Sequence, residues 1–139
     1  MKYIYLLFIL FYSIGSIGQE KSITVGNGGG FAGGATVYKI TSSGKVFKGK
    51  GIGEIKYTEC SKIKKSKAHT YIQSVSDQTK STSPFSHPGN LYYFMGYAEG
   101  TTERKVTWGD EAHAVPESIQ KLYQEINTVI TSLSYKPIK

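Results

Sequence analysis

The chain has 139 residues, with 17 basic side chains against 10 acidic ones for a formal charge of +7, and a single cysteine. One thiol excludes an intramolecular disulfide and cannot by itself build a structural zinc site, and the length fits one domain that buries its own core without staples. The basic balance favours acidic partners, yet arginine occurs only at Arg104, and base-reading proteins rely on arginine forks, so nucleic acid is not expected as a partner.

Residues 1–18 place Lys2 before an apolar stretch that closes on Ser16 and Gly18. This is the layout of a secretory leader cleaved after Gly18. The stretch is short for a membrane span, and a polar segment follows at once, so no stable membrane insertion is expected after cleavage. The expected organisation is a leader over 1–18 and one domain over 19–139, exported to the periplasm or beyond the cell. Removing 18 residues from 139 leaves 121, and removing Lys2 leaves 16 basic residues against 10 acidic ones, a charge of +6.

In chain order, Ser22-Ile23-Thr24-Val25 alternates polar and apolar residues and predicts a short strand. A glycine-dense run from Gly26 to Gly34 reads as a loop, with Phe31 at its centre. Ala35 to Ile40 is β-branched and aromatic, a second strand. Thr41-Ser42-Ser43-Gly44 is turn chemistry, and Lys45 to Lys48 returns as a third strand. Ile52 and Ile55 are expected to touch the core.

No glycine or proline interrupts Glu59 to Ser76, where Ile63, Ala68, Tyr71, Ile72 and Val75 share one arc at 100° per residue. That spacing predicts a helix with Cys60 as a buried thiol inside the same arc. Lys56, Lys62, Lys64, Lys65 and Lys67 read as a solvated face. Asp77 to Pro88 is polar and reads as a loop. Leu91 to Tyr97 predicts an aromatic strand, with Arg104 to Trp108 as its hairpin partner after a turn at Glu99 to Thr102. Pro116 opens a last helix, because Ile119, Leu122, Tyr123, Ile126, Ile130 and Leu133 recur at helical spacing. The expected fold is α+β: one small domain with an antiparallel sheet of four to five strands and two helices on one face, in the order β-β-(β)-α-β-β-α.

The chemistry-bearing patterns are few. Gly28-x-Gly30-x-x-Gly33 formally matches a dinucleotide fingerprint, but that motif must open a helix, and here it runs into strand-like Ala35 to Tyr38. His69, His87 and His113 are far apart and lack the spacing of a zinc protease. No serine sits in a Gly-x-Ser-x-Gly elbow. No enzyme activity, metal or cofactor is expected, which leaves binding to a protein partner.

Two side chains stand out for that role. Phe31 on a glycine loop is either an exposed anchor able to enter a narrow cleft or a ring folded back onto the core while the glycines allow a turn or bulge. Trp108 is either an interface anchor or a core residue at a strand end. A different binding mode would use the Tyr92 to Tyr97 strand and Trp108 as an aromatic face.

The stretch Gly29-Gly30-Phe31-Ala32-Gly33, just after a first strand, resembles emfourin, the small protein inhibitor of thermolysin-like metalloproteases. The later order is similar too: a helix near Cys60 to Val75, a strand with Tyr92-Tyr93-Phe94, a hairpin through Glu99-Gly100, and Pro116 opening a helix with Leu122. The resemblance covers roughly Ile23 to Leu133. It departs from the family in the leader, the strand at Lys45 to Lys48 and a longer loop from Asp77 to Asn90. The resemblance implies inhibition by tight binding, with the glycine loop in the protease cleft and Phe31 in its apolar pocket. Gly29, Gly30, Phe31, Ala32, Gly33 and Trp108 are the partner-binding candidates.

Overall fold

The structure, a computed structural model, describes residues 18–133. The leader expected over 1–18 lies, apart from Gly18, outside the described residues, as does the tail at Pro137.

The elements run β1 (Lys21–Gly29), β2 (Ala35–Thr41), β3 (Lys45–Gly51), β4 (Lys56–Lys62), α1 (Lys65–Thr82), β5 (Phe85–Ser86), β6 (Leu91–Glu99), β7 (Thr102–Trp108) and α2 (Glu117–Ser132). The seven strands form one sheet in the order β4-β3-β2-β1-β6-β7-β5. The first four strands meander by tight hairpins away from β1, and β6 joins β1 on its other side, antiparallel to it. Helix α1 therefore carries the chain from one edge of the sheet to the other. There β5 pairs parallel to β7, so the sheet is mixed rather than purely antiparallel and has more strands than the sequence predicts.

Both helices pack on one face. Alternation in β1 sends Ile23 and Val25 to that face, beside Ile40 of β2, Val46 of β3, Met95 and Tyr97 of β6, and Val106 and Trp108 of β7. From α1 come Ala68, Tyr71, Ile72 and Val75, and from α2 come Ile119, Tyr123, Ile126 and Ile130. The periodicity of α2 thus reports its buried face correctly, with Leu122 and Leu133 at the margin.

The first helix needs correction. It begins at Lys65 and not near Glu59, because Tyr57 to Ser61 pair with β3 as an edge strand. Strand formation wins there because the hairpin with β3 supplies backbone hydrogen-bond partners, while lysines at both ends of β4 suit an edge strand. Cys60 therefore sits on β4, half-buried, with its thiol 3.4 Å from the Val46 carbonyl. Burial pushes its pKa up. The helix also runs on to Thr82, into the first half of the Asp77 to Pro88 stretch that reads as a loop. Thr79 is fully buried, one turn beyond Val75, and its hydroxyl donates to the Val75 carbonyl at 2.7 Å. Pro84 then stops the helix, since a residue before proline disfavours the α region.

The lysines at the start of α1 lie on the surface, at a helix end with no acidic residue in its first turn and no side-chain cap on Lys64. The one arginine has a structural role. Arg104 on β7 donates to the Ser76 hydroxyl at 2.8 Å and the Ser76 carbonyl at 3.2 Å, approaches the Thr79 hydroxyl at 3.4 Å, and lies 4.5 Å from the centre of the Tyr97 ring. It ties α1 to the sheet. Arg104→Met keeps the aliphatic stem and removes these charged hydrogen bonds, which should lower stability by about 1–3 kcal/mol. Urea denaturation checks this, and a loss below about 0.5 kcal/mol would show that water replaces the contacts at no cost.

Candidate functional site

One end of the sheet gathers the glycine turn and the most exposed apolar side chains. The glycine run is not a free loop. Gly26 to Gly29 belong to β1, and the turn proper is Gly30-Phe31-Ala32-Gly33, closed by the Gly33 N–H on the Gly30 carbonyl at 3.1 Å. Gly29 N–H donates to the Gly34 carbonyl at 3.1 Å, and Gly30 N–H donates to the Asn90 carbonyl at 2.8 Å. Gly29, Gly30 and Gly33 have φ of 95°, 77° and 66°, the left-handed region that other residues enter only at a cost.

Phe31 stands at the tip, fully exposed at 112%. Of the two readings of this ring, the structure has the outward one. Ile52 in the β3–β4 turn is 74% exposed rather than in the core, and Leu91 at the start of β6 is 59% exposed. Strand directions place both turns and the β6 start at the same end as Phe31. Ala32 and Gly33 are exposed beside Phe31, and Gly29 and Gly30 form the base of the tip. Five of the candidate residues are thus contiguous in space.

Trp108 is separate from them. It is 7% exposed and packs edge-on to Tyr123 at 5.2 Å and roughly parallel to Tyr93 at 6.1 Å. The Tyr123 hydroxyl donates to the Gly26 carbonyl at 3.2 Å. Trp108 therefore supports the site end from within and offers little surface to a partner.

The Tyr92 to Tyr97 strand does not present one aromatic face, since successive side chains alternate. Tyr93 and Tyr97 face the helices with Trp108. Tyr92 and Phe94 lie on the helix-free face, over β1. An open groove of about 380 Å³ runs along that face, lined by Val37, Ile55, Tyr57, Tyr92, Phe94 and Lys105, among others. The Lys105 ammonium lies 4.3 Å from the centre of the Phe94 ring.

The same end of the sheet brings together a group that sequence spacing hides. His87 follows β5, while Asp110 and His113 follow β7. The His87 N–H donates to the Thr107 carbonyl at 2.9 Å, and the Asp110 N–H donates to the His87 carbonyl at 3.0 Å. The two imidazoles stack at 4.0 Å with planes 6° apart, and Asp110 Oδ2 lies 2.7 Å from His113 Nδ1. Asp110 Oδ1 accepts the Ala112 N–H at 3.0 Å. That bond first, and the His113 contact second, hold the Asp110 carboxyl below its usual pKa. The only local signal for this trio was the short spacing of Asp110 and His113; their meeting with His87 depends on the β5–β7 pairing.

No described helix is long and apolar enough to cross a membrane. The chain matches no protein-family model and no curated protein.

The geometry of the tip separates two glycine substitutions. A Cβ on Gly29 would run into the Asn90 carbonyl, at a φ that already disfavours a side chain. A Cβ on Gly33 would meet open space. Gly33→Ala should therefore cost only backbone strain, about 1–2 kcal/mol, while Gly29→Ala adds a steric clash and should cost about 2–4 kcal/mol in total. Denaturation midpoints of the two variants read the difference directly.

Proposed function

We propose that this is an exported, non-enzymatic binding protein that inhibits a thermolysin-like metalloprotease by inserting the β1–β2 hairpin tip into its cleft. The observation that carries this reading is Phe31, fully exposed on a turn flanked by glycines that is itself hydrogen-bonded to Asn90, just before β6. A large ring held in solvent is unusual for core chemistry and suited to a pocket. The glycines on either side keep the insert thin, and the three backbone bonds reduce the ordering that binding must impose. Ile52 and Leu91 would form an apolar rim around the inserted tip. The similarity of Gly29 to Gly33 to the emfourin pattern supports the choice of target class.

A second reading uses the groove on the helix-free face as an aromatic binding surface for a partner other than a protease. The alignment of Tyr57, Tyr92, Phe94 and Lys105 along that groove favours it.

One titration distinguishes them. The purified protein is added to a thermolysin-type protease while hydrolysis of a small peptide substrate is followed. The expected outcome is dose-dependent inhibition without cleavage of the added protein. Phe31→Ala should weaken it by about 2 kcal/mol or more, roughly thirtyfold, and Tyr57→Ala should leave it unchanged. Inhibition that survives Phe31→Ala would overturn the tip as the inserted element. Absence of inhibition across several such proteases would overturn the inhibitor reading and leave the groove as the binding surface.

A further inference from the structure

We propose that His87, Asp110 and His113 form a binding site for a borderline transition-metal dication, with Zn²⁺ as its natural probe. One ligand atom from each residue lies within 4.8 Å of the others. These are two imidazole nitrogens and one carboxylate oxygen, a donor set suited to zinc, copper(II) or nickel. Calcium and magnesium demand mainly oxygen ligands, and soft copper(I) demands sulfur. Cys60 lies on β4 at the opposite edge of the sheet, so no thiolate joins the set.

The trio is held together by the backbone rather than by side chains alone. The bonds from His87 N–H to Thr107 and from Asp110 N–H to His87 fix the two segments against each other. A close backbone approach reinforces them. A Cβ on Gly89 would lie 2.8 Å from the Gly109 carbonyl carbon, so neither segment can drift apart without losing that fit. Zinc bonds of about 2.0–2.2 Å in a tetrahedral shell require ligand atoms somewhat closer than 4.8 Å. The closure falls to the side chains free to make it. The side chains of His113 and Asp110 are 52% and 38% exposed, whereas His87 is half-buried with its ring edge-on to Phe85 at 4.8 Å. Turning the His113 ring out of its stacked plane, with Nδ1 and Asp110 Oδ2 exchanging their hydrogen bond for the ion, completes three protein ligands with His87. The exposed side leaves the fourth position to water.

Metal there would join the segment after β5 to the segment after β7. Asn90, three residues beyond His87, accepts the Gly30 N–H at the base of the hairpin tip. The ion would thus brace the platform on which the tip rests. The site stands apart from the protease reading and is tested without a protease.

The protein, prepared without a histidine tag, is titrated with Zn²⁺ in competition with a chromophoric chelator. One zinc per chain is expected. His113→Ala and Asp110→Asn, both at exposed side chains that the fold tolerates, should each weaken binding by at least about tenfold, and His69→Ala should leave it unchanged. In imidazole NMR spectra, the His87 and His113 resonances should shift on zinc addition while those of His69 stay in place. Zinc binding as tight in His113→Ala as in the parent, or no competition up to about 100 µM zinc, would overturn the site and leave the trio as a hydrogen-bonded stack.

Discussion

The register between β1 and β6 is the constraint on which the rest of the molecule depends. It pairs Gly26 with Phe94 and Gly28 with Tyr92. On the helix-free face each glycine is covered by the ring opposite. A Cβ on Gly26 would lie 2.6 Å from the Phe94 ring, and one on Gly28 would lie 2.6 Å from the Tyr92 hydroxyl. Phe94 is buried although no helix covers that face, because the missing side chains of β1 make the space for it. This is how aromatic neighbours compensate glycines within a sheet. On the other face the same register sends Ile23 and Val25 into the core. A slip of one residue would exchange the two faces, exposing the isoleucine and valine and driving rings into backbone. Glycine, normally a weak strand residue, here makes the register unambiguous.

That constraint explains what was legible in the sequence and what was not. α2 was legible because its buried face is written in local spacing, Ile119 to Ile130. The strand at Leu91 to Tyr97 was legible because its aromatic and β-prone residues are strong in any context. The glycine run was not, because its composition alone fits a linker, and only the rings of a strand some 65 residues later make Gly26 and Gly28 part of a sheet. β4 was hidden for a similar reason: Glu59 to Ser61 lack glycine and proline and so extend the helical pattern, and pairing with β3 decides otherwise. The end of α1 was hidden because one buried threonine, Thr79, carries its inner face where composition shows only polar residues. Two-residue β5 carries too little pattern to be read at all.

The candidate sites divide along the same line. Phe31 could be singled out from its neighbours, since a bulky ring among glycines is a local anomaly. Its orientation could not, because that depends on how the turn is held against the strands, which local sequence does not show. The histidine and aspartate trio was invisible for a topological reason. His87 reaches Asp110 and His113 only through the parallel pairing of β5 with β7, and α1 sets that pairing by delivering the chain to the far edge of the sheet.

These features share one end of the molecule, and the backbone there departs from ordinary rules more than elsewhere. Among the described residues, Gly29, Gly30, Gly33, Gly53 and Gly109 adopt positive φ at this end, against Gly44 and Gly100 at the other. The exposed large apolar side chains Phe31, Ile52 and Leu91 gather at the same end. Places where a sequence breaks local rules without gain in packing are where function is expected to lie. The opposite end is closed by short turns. The tip end is built on the core below it: Trp108 and Tyr123 pack beneath, and the Tyr123 hydroxyl donates to the Gly26 carbonyl where β1 rises to the tip. For the proposed insertion, a tip supported in this way would need little further ordering, which favours conversion of its single ring's burial into affinity.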